Sequence, residues 1–157
     1  MTHRIVTVNT VDDFVVNVIF QNGIEKQYDL KPLCDEYPIF QELQNNVGLF
    51  AAVKVDVGGY GISWNDDIDL SADELWEKGI ETNKVHKVEL CESIGYIFSK
   101  ARSDMNITQK ELAEITHIYQ ADISKIERGL ANPSIKTLER LAEGMGMELH
   151  VELIQKK

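Results

Sequence analysis

Long apolar runs are missing from this 157-residue chain: none approaches the ~20 residues that cross a bilayer as a helix, which excludes a spanning segment. Cysteine is scarce. Cys34 and Cys91 stand far apart and form no CxxC pair, so neither a disulfide framework nor a zinc site is expected. Positive charge is in deficit, with 16 Lys and Arg against 26 Asp and Glu for a formal net charge of -10. That balance rules out a wholly basic nucleic-acid coat and a protein held on anionic lipid by general charge. The opening stretch MTHRIVTVNTVDDFVV holds no apolar core followed by a small-residue cleavage site, so a soluble cytoplasmic protein is expected rather than an exported one. What is present, 43% hydrophobic and 27% charged residues, is ordinary globular composition, with chain for one medium domain or two small ones.

The acidity is uneven. Residues 1–90 hold 7 Lys/Arg against 16 Asp/Glu, whereas residues 91–157 hold 9 against 10. Such asymmetry points to two units with different partners. The near-neutral half can meet a polyanion if its cations share a face; the acidic half is repelled by one and suits a basic protein.

In the acidic half, Phe14-Val15-Val16-Asn17-Val18-Ile19-Phe20 is β-branched and aromatic and reads as a strand. Gln21-Asn22-Gly23 follows as a hairpin turn in which Asn and Gly both tolerate positive φ, and Ile24 to Leu30 is the partner strand. Pro38-Ile39-Phe40 opens a short helix with Leu43. Ala51 to Val57 and Gly61 to Trp64 form a second hairpin turned by Gly58-Gly59-Tyr60. Ser71-Ala72-Asp73-Glu74 has the spacing of a reciprocal capping box for a helix from Ala72 to Lys78, with Gly79 as its stop. Strands followed by short helices make residues 1–81 a small α+β domain. The stretch from Glu81 to Val88 reads either as a loop or as the first turn of the next helix, and residues 82–89 are taken as a linker.

Several features there invite a chemical role and are better read as structure. Asn65-Asp66-Asp67-Ile68-Asp69 lacks the glycine and the distal glutamate of a calcium loop and reads as a solvated turn. No helix follows Gly58-Gly59-Tyr60-Gly61 to receive a phosphate. His3 and His86 have no partner at metal-ligand spacing, so neither a metal nor another cofactor is expected. Trp64 is expected in the core. No nucleophile–base pair can be assembled, so no enzyme is expected.

The order Tyr28-Asp29-Leu30, Pro32-Leu33, Phe40, Leu43, Phe50, Gly61-Ile62-Ser63-Trp64, Asp69-Leu70 and Leu75 resembles a small uncharacterised bacterial α+β domain family over about residues 10–80. The resemblance implies a fold. It also implies a stand-alone domain or a partner of a small basic protein in toxin–antitoxin-like pairs.

From residue 90 the pattern turns helical. Leu90, Ile94, Ile97, Phe98 and Ala101 recur at helical spacing and make an amphipathic helix ending near Asn106, a side chain that tolerates the left-handed closing residue. Thr108-Gln109-Lys110-Glu111 is a second capping box, opening a helix through Leu112, Ala113 and Ile115. A short connection, Thr116-His117-Ile118-Tyr119, leads to a helix from Gln120 to Glu127 that Gly129 stops. Asn132-Pro133-Ser134 announces another, carrying Leu138, Leu141 and Ala142 and ending near Gly144. Two short helices joined by a tight turn are the helix-turn-helix unit, whose second helix fits the DNA major groove.

Residues Ile94 to Glu148 resemble the Cro/repressor-type (XRE-family) helix-turn-helix domain. The likeness runs through Phe98, Arg102, Ile107-Thr108-Gln109, Leu112-Ala113, Gln120, Ile123 to Gly129, Asn132-Pro133-Ser134, Thr137-Leu138 and Leu141-Ala142 at unbroken spacing. It implies an Arg102–Glu127 ion pair that staples the first helix to the recognition helix. It implies Gln109, Asn132 and Lys136 as phosphate or backbone contacts, and Gln120, Ala121 and Lys125 as base-facing residues. The chemistry agrees: Gln pairs with adenine, Lys donates to guanine, and an Ala methyl meets a thymine methyl. Solvated helix residues are the bland alternative for Gln120 and Lys125. Tyr119 departs from the usual capping Ser or Thr, which removes ~1 kcal/mol unless the ring contacts sugar-phosphate. Asp122 puts a negative charge beside DNA, so modest affinity per half-site and dependence on dimerisation are expected.

Met147 to Ile154 alternates apolar and polar residues as a half-buried strand does. By resemblance to antitoxin-type repressors it pairs with its two-fold mate through Leu149, Val151 and Leu153; pairing with the N-terminal sheet is the other choice. The expected architecture is therefore an α+β N-terminal domain followed by an all-α five-helix helix-turn-helix domain over residues 90–157 with a C-terminal β-strand. The expected function is a sequence-specific transcriptional regulator, a homodimeric repressor on a near-palindromic double-stranded DNA operator. The alternative is an antitoxin-like protein that binds a small basic toxin through residues 1–81 and autoregulates its operon. An adaptor that has lost DNA contact is the non-DNA reading.

Overall fold

Val16, Val18 and Phe20 alternate with Val15, Asn17 and Ile19, and this alternation decides the first sheet. In the computed structural model, which describes residues 3–155, β2 (Val15–Phe20) buries the first set completely and half-buries the second. It lies between β1 (Ile5–Val11) and β3 (Ile24–Asp29), with Val16 facing Thr10 on one side and Tyr28 on the other. A slip of one residue would turn Val16, Val18 and Phe20 out of the core. The chain divides into two compact units, Met1–Val88 and Glu89–Lys157.

The turns of the first unit differ from the sequence reading in two places. Strand β2 begins at Val15, because Asp13 and Phe14 both take left-handed backbone (φ 66° and 63°). Phe14 is held there by its ring against Phe50 and by its carbonyl, which accepts from Leu30 N. In the second turn only Gly23 has positive φ, at 85°. Gly23 N donates to Phe20 O and Asn22 Oδ1 accepts from Ile24 N, the pattern of a three-residue hairpin loop closed by a left-handed glycine.

Helices α1 (Lys31–Glu36), α2 (Gln41–Asn45) and α3 (Val47–Ala51) follow, with a 3₁₀ turn at Pro38–Phe40. A second antiparallel sheet holds β4 (Lys54–Val55), β5 (Gly61–Ser63) and β6 (Asp69–Ser71), and leads into α4 (Ala72–Lys78). Leu30, Leu33, Leu43, Ile62, Trp64 and Leu75 share the core with the first sheet, and Trp64 Nε1 donates to Phe50 O at 3.0 Å. Ser71 caps α4, but the reciprocal half of the expected box is missing. The Glu74 carboxylate accepts from Tyr28 Oη at 2.8 Å and pairs with Lys78 instead. Gly79 stops α4 without left-handed backbone; a Cβ there would sit 2.3 Å from Leu75 O.

The segment expected to link the halves is in part a strand. β7 (Ile80–Val85) pairs antiparallel with β3 and completes the sheet order β1-β2-β3-β7. Its polar sequence hides this, because what holds it is a buried carboxylate rather than an apolar face. Glu25 of β3 accepts from Thr82 Oγ1 at 2.7 Å and meets His86 Nε2 at 2.5 Å, with Lys84 Nζ at 3.7 Å.

In the second unit, α5 (Leu90–Asp104), α6 (Gln109–Thr116), α7 (Gln120–Glu127) and α8 (Ile135–Gly144) enclose Phe98, Leu112, Ile123, Ile126, Leu138, Leu141 and Met145. An α+β region followed by a helical one is thus the arrangement. Four helices rather than five occur here among the described residues. Leu90 and Ile97 are exposed, so the buried stripe of α5 is narrower than its apolar spacing. Asn106 adopts φ 54° after α5, as its side chain allows. Beyond α8 the expected strand is absent from the described part: after the left-handed Gly146, residues 147–155 join no ladder. A strand needs a neighbour, and among the described residues this segment has none.

Hydrogen bonds from Thr82 and Asn17, with His86 and Lys84, lower the Glu25 carboxyl from 4.5 to about 2. A depressed folded value contributes stability that is fully present above 4.5 and lost as pH falls toward 2. Trp64 and Trp76 both lie in the first unit, so tryptophan-detected melting reports on it. The midpoint is expected to drop across that pH window in the wild type. Glu25→Gln is expected to lower it at neutral pH and to flatten the acid-side fall, without abolishing it, since Asp73 and Glu74 are lowered too.

Candidate nucleic-acid interface

Each end of the α6–turn–α7 unit is built by local chemistry. Thr108 and Glu111 form a complete capping box: Thr108 Oγ1 accepts from Glu111 N at 3.1 Å and Glu111 Oε2 accepts from Thr108 N at 2.7 Å. These bonds hold the Glu111 carboxyl below its usual range. The helix ends at His117, whose backbone is left-handed at φ 55°. Arg140 Nη2 reaches from α8 to donate to Thr116 O at 2.6 Å, placing a cation on the negative end of α6. Tyr119 then begins α7 in extended backbone with no side-chain cap, its ring exposed. Ser134 caps α8 by accepting from Thr137 N at 3.1 Å.

Behind α7 lies a buried charge bracket. Arg102 Nε and Nη2 donate to Glu127 Oε1 and Oε2 at 2.6 and 2.9 Å, and Nη1 donates to Ile107 O at 2.7 Å. The Glu127 side chain is 1% exposed and that of Arg102 15%. The bond to Glu127 holds the guanidinium above its already high range. Gln109 completes the bracket, its Nε2 donating to Glu127 Oε2 at 2.9 Å. Arg102, Ile107, Gln109 and Glu127 thus join the C-terminal end of α5, the start of α6 and the last turn of α7.

With Ile123, Ile126 and Glu127 turned inward, α7 presents Gln120, Ala121 and Lys125 on its exposed side together with Asp122. Asn132 and Lys136 are exposed around the start of α8. Gln109 is half-buried at the start of α6, and its Nε2 donates to Glu127 Oε2. Leu149 packs against this unit's core, so among the candidate dimer residues Val151 and Leu153 are the exposed pair, 66% and 97%. The sequence reading did not single out His117 or Arg140. Their signals were a residue between two short helices, where left-handed backbone is needed, and a cation positioned to meet the α6 terminus, which spacing alone does not reveal.

A family model described as a protein of unknown function (DUF2442) matches residues 5–81, and a helix-turn-helix model matches residues 99–151. The chain is 36% identical over 61 residues to an uncharacterised HTH-type transcriptional regulator, y4dJ, of Sinorhizobium fredii; the match covers 39% of this chain and 78% of that relative. A restriction-modification controller protein, solved as a tetramer with its natural 35 base-pair operator, is 29% identical over 40% of this chain and 82% of its own, with a TM-score of 0.38. Protein NE0471 of Nitrosomonas europaea, named as a candidate DNA binder, is 12% identical over 88% of this chain and 84% of its own, with a TM-score of 0.43.

Removing one partner of the bracket leaves a buried charge behind. Arg102→Ala is expected to destabilise the second unit by about 3–5 kcal/mol, while Arg102→Met combined with Glu127→Leu recovers most of that loss. Urea unfolding followed by far-UV circular dichroism measures both; equal losses in the single and double variants would contradict the account. His117→Gly is expected to stabilise the same unit by about 1 kcal/mol, because glycine carries no Cβ into left-handed backbone.

Proposed function

The chain belongs to the helix-turn-helix family of DNA-binding transcriptional regulators, and we propose that it works as a dimeric repressor reading a near-palindromic operator through α7. The observation that carries this reading is the exposed row Gln120, Ala121 and Lys125 on a helix whose opposite side is fixed by the Arg102–Glu127 bracket. A rigid mount lets short side chains meet base edges at set positions. Gln120 pairs with adenine, Lys125 donates to guanine and Ala121 rests on a thymine methyl. Gln109 bridges: one amide hydrogen goes to Glu127, and the other, with the free N–H groups of the first turn of α6, meets a phosphate. Asn132 and Lys136 supply further backbone contacts, and Tyr119 lies against sugar-phosphate. Val151 and Leu153 pair with the same residues of a second copy, setting two α7 helices about one DNA turn, ~34 Å, apart. The protein acts in the cytoplasm and has no catalytic role.

A second reading is favoured by charge. Residues 1–90 carry 16 acidic against 7 basic side chains, which suits a basic protein partner for the first unit. In that reading the protein is antitoxin-like: residues 1–81 bind a small basic toxin while the helical unit controls transcription of the pair.

Fluorescence anisotropy on DNA from immediately upstream of its own gene, beside scrambled DNA, tests the main reading. Specific binding is expected to weaken steeply with salt as phosphate contacts release counterions. Lys125→Ala is expected to cost about 1–3 kcal/mol of discrimination, and Gln120→Ala/Lys125→Ala to abolish the preference for that DNA. Val151→Asp/Leu153→Asp is expected to yield monomer that retains its fold but binds weakly. Binding that is indifferent to sequence, to salt and to the α7 variants would overturn the reading.

A further inference from the structure

Between α1 and α4 the first unit has a trough that the DNA-binding function does not use. Its larger part, about 370 Å³, is floored by the buried Leu33, Phe40 and Leu70. A second part, about 240 Å³, shares Leu33, Glu36 and Lys78 with the first and runs on to Ile80. Tyr37, Ile39 and Ile80 line it while 52%, 42% and 77% exposed, large apolar side chains left in water.

The charge around this apolar strip has one sign. Glu36, Asp67, Asp69 and Glu74 line the larger part, and Asp29 lines the smaller. Lys78 is the one cation among these lining residues, and its Nζ is tied to Glu74 at 2.9 Å. Pairing with Lys78 and the hydrogen bond from Tyr28 keep Glu74 ionised below the usual carboxylate range. DNA is repelled by such a rim. A second copy of this chain, itself at net -10, brings the wrong charge as well. Arginine and lysine suit it, because their apolar stems lie along apolar surface while their heads reach carboxylates, and a guanidinium stacks on an exposed tyrosine ring.

We propose that this trough is the docking site for a cationic peptide segment of a partner protein, in which arginine or lysine alternates with apolar residues. The proposal rests on the reading that the first unit binds a basic partner. It adds where that partner sits and which side chains select it.

Amide chemical shifts of the ¹⁵N-labelled full chain, titrated with a short blocked peptide alternating arginine and leucine, test it. The probe's counterpart carries glutamate in place of arginine. The expected result is saturable shifts confined to Glu36, Tyr37, Ile39, Asp69, Lys78, Ile80 and their neighbours, with a dissociation constant below about 1 mM, and none with the glutamate peptide. Glu36→Gln/Asp69→Asn is expected to weaken binding about 10-fold, equivalent to ~1.4 kcal/mol. Asp12→Asn/Glu77→Gln, the same charge change outside the trough, leaves it within about twofold. Shifts spread over the acidic surface, with both double variants equally weakened, would overturn the trough while leaving the basic-partner reading standing. Absence of binding by the arginine peptide, or equal binding of the glutamate peptide, would overturn both.

Discussion

The helical unit depends on one buried ion pair. A carboxylate at 1% exposure is tolerated only because its oxygens are shared among Arg102 and Gln109, while the same guanidinium also satisfies the Ile107 carbonyl. Few interactions are so costly to half-remove. The bracket does not add much stability over an apolar replacement; its value lies in geometry. A bidentate pair between the end of α5 and the last turn of α7 sets the angle at which α7 leaves the core, and that angle decides where Gln120 and Lys125 fall. In the proposed reading of DNA, the mount matters as much as the residues it carries.

A related device closes the first unit. Glu25 is buried in a sheet and gathers Thr82 and Lys84 from β7, a strand with little apolar sequence of its own, and His86 from just beyond it. In both units a buried carboxylate ties a late segment to an earlier one. The two differ in consequence. Glu127 is met by a guanidinium and a side-chain amide, whereas the hydrogen bonds around Glu25 lower its carboxyl to about 2, so acid removes that contribution from the first unit.

Charge divides the labour. The helical unit, near balance in charge, pairs Lys100 with Asp104 and Arg102 with Glu127 and leaves Lys110, Lys125 and Lys136 exposed on α6, α7 and α8. The α+β unit does the reverse, collecting carboxylates around a strip of exposed apolar side chains. Under the proposed readings, one surface of the molecule meets a polyanion and another a cationic segment, so that a partner on the first unit could be sensed by the unit that binds DNA.

The sequence alone specified the order of units, the hairpin of β2 and β3, the capped helices α4, α6 and α8, the uncapped α7, and the identity of the motif. Those features rest on local signals: alternation, a capping Ser or Thr, a Gly or Asn where the chain turns back. The pairing of Arg102 with Glu127 entered the sequence reading only through family resemblance, since nothing local links residues 25 apart. What tertiary structure decided was whatever depends on a partner far along the chain. β7 is a strand because Glu25 waits for it. One amide hydrogen of Gln109 is taken by Glu127, and the Glu74 half of the Ser71 capping box is lost to Tyr28 and Lys78. Leu90 and Ile97 stay in water although their spacing matches the buried stripe. The trough along α1 and α4 is built from side chains of β3, α1, the 3₁₀ turn, β6, α4 and β7. Short-range pattern fixes which way a side chain can point, but only the assembled fold determines what it meets there.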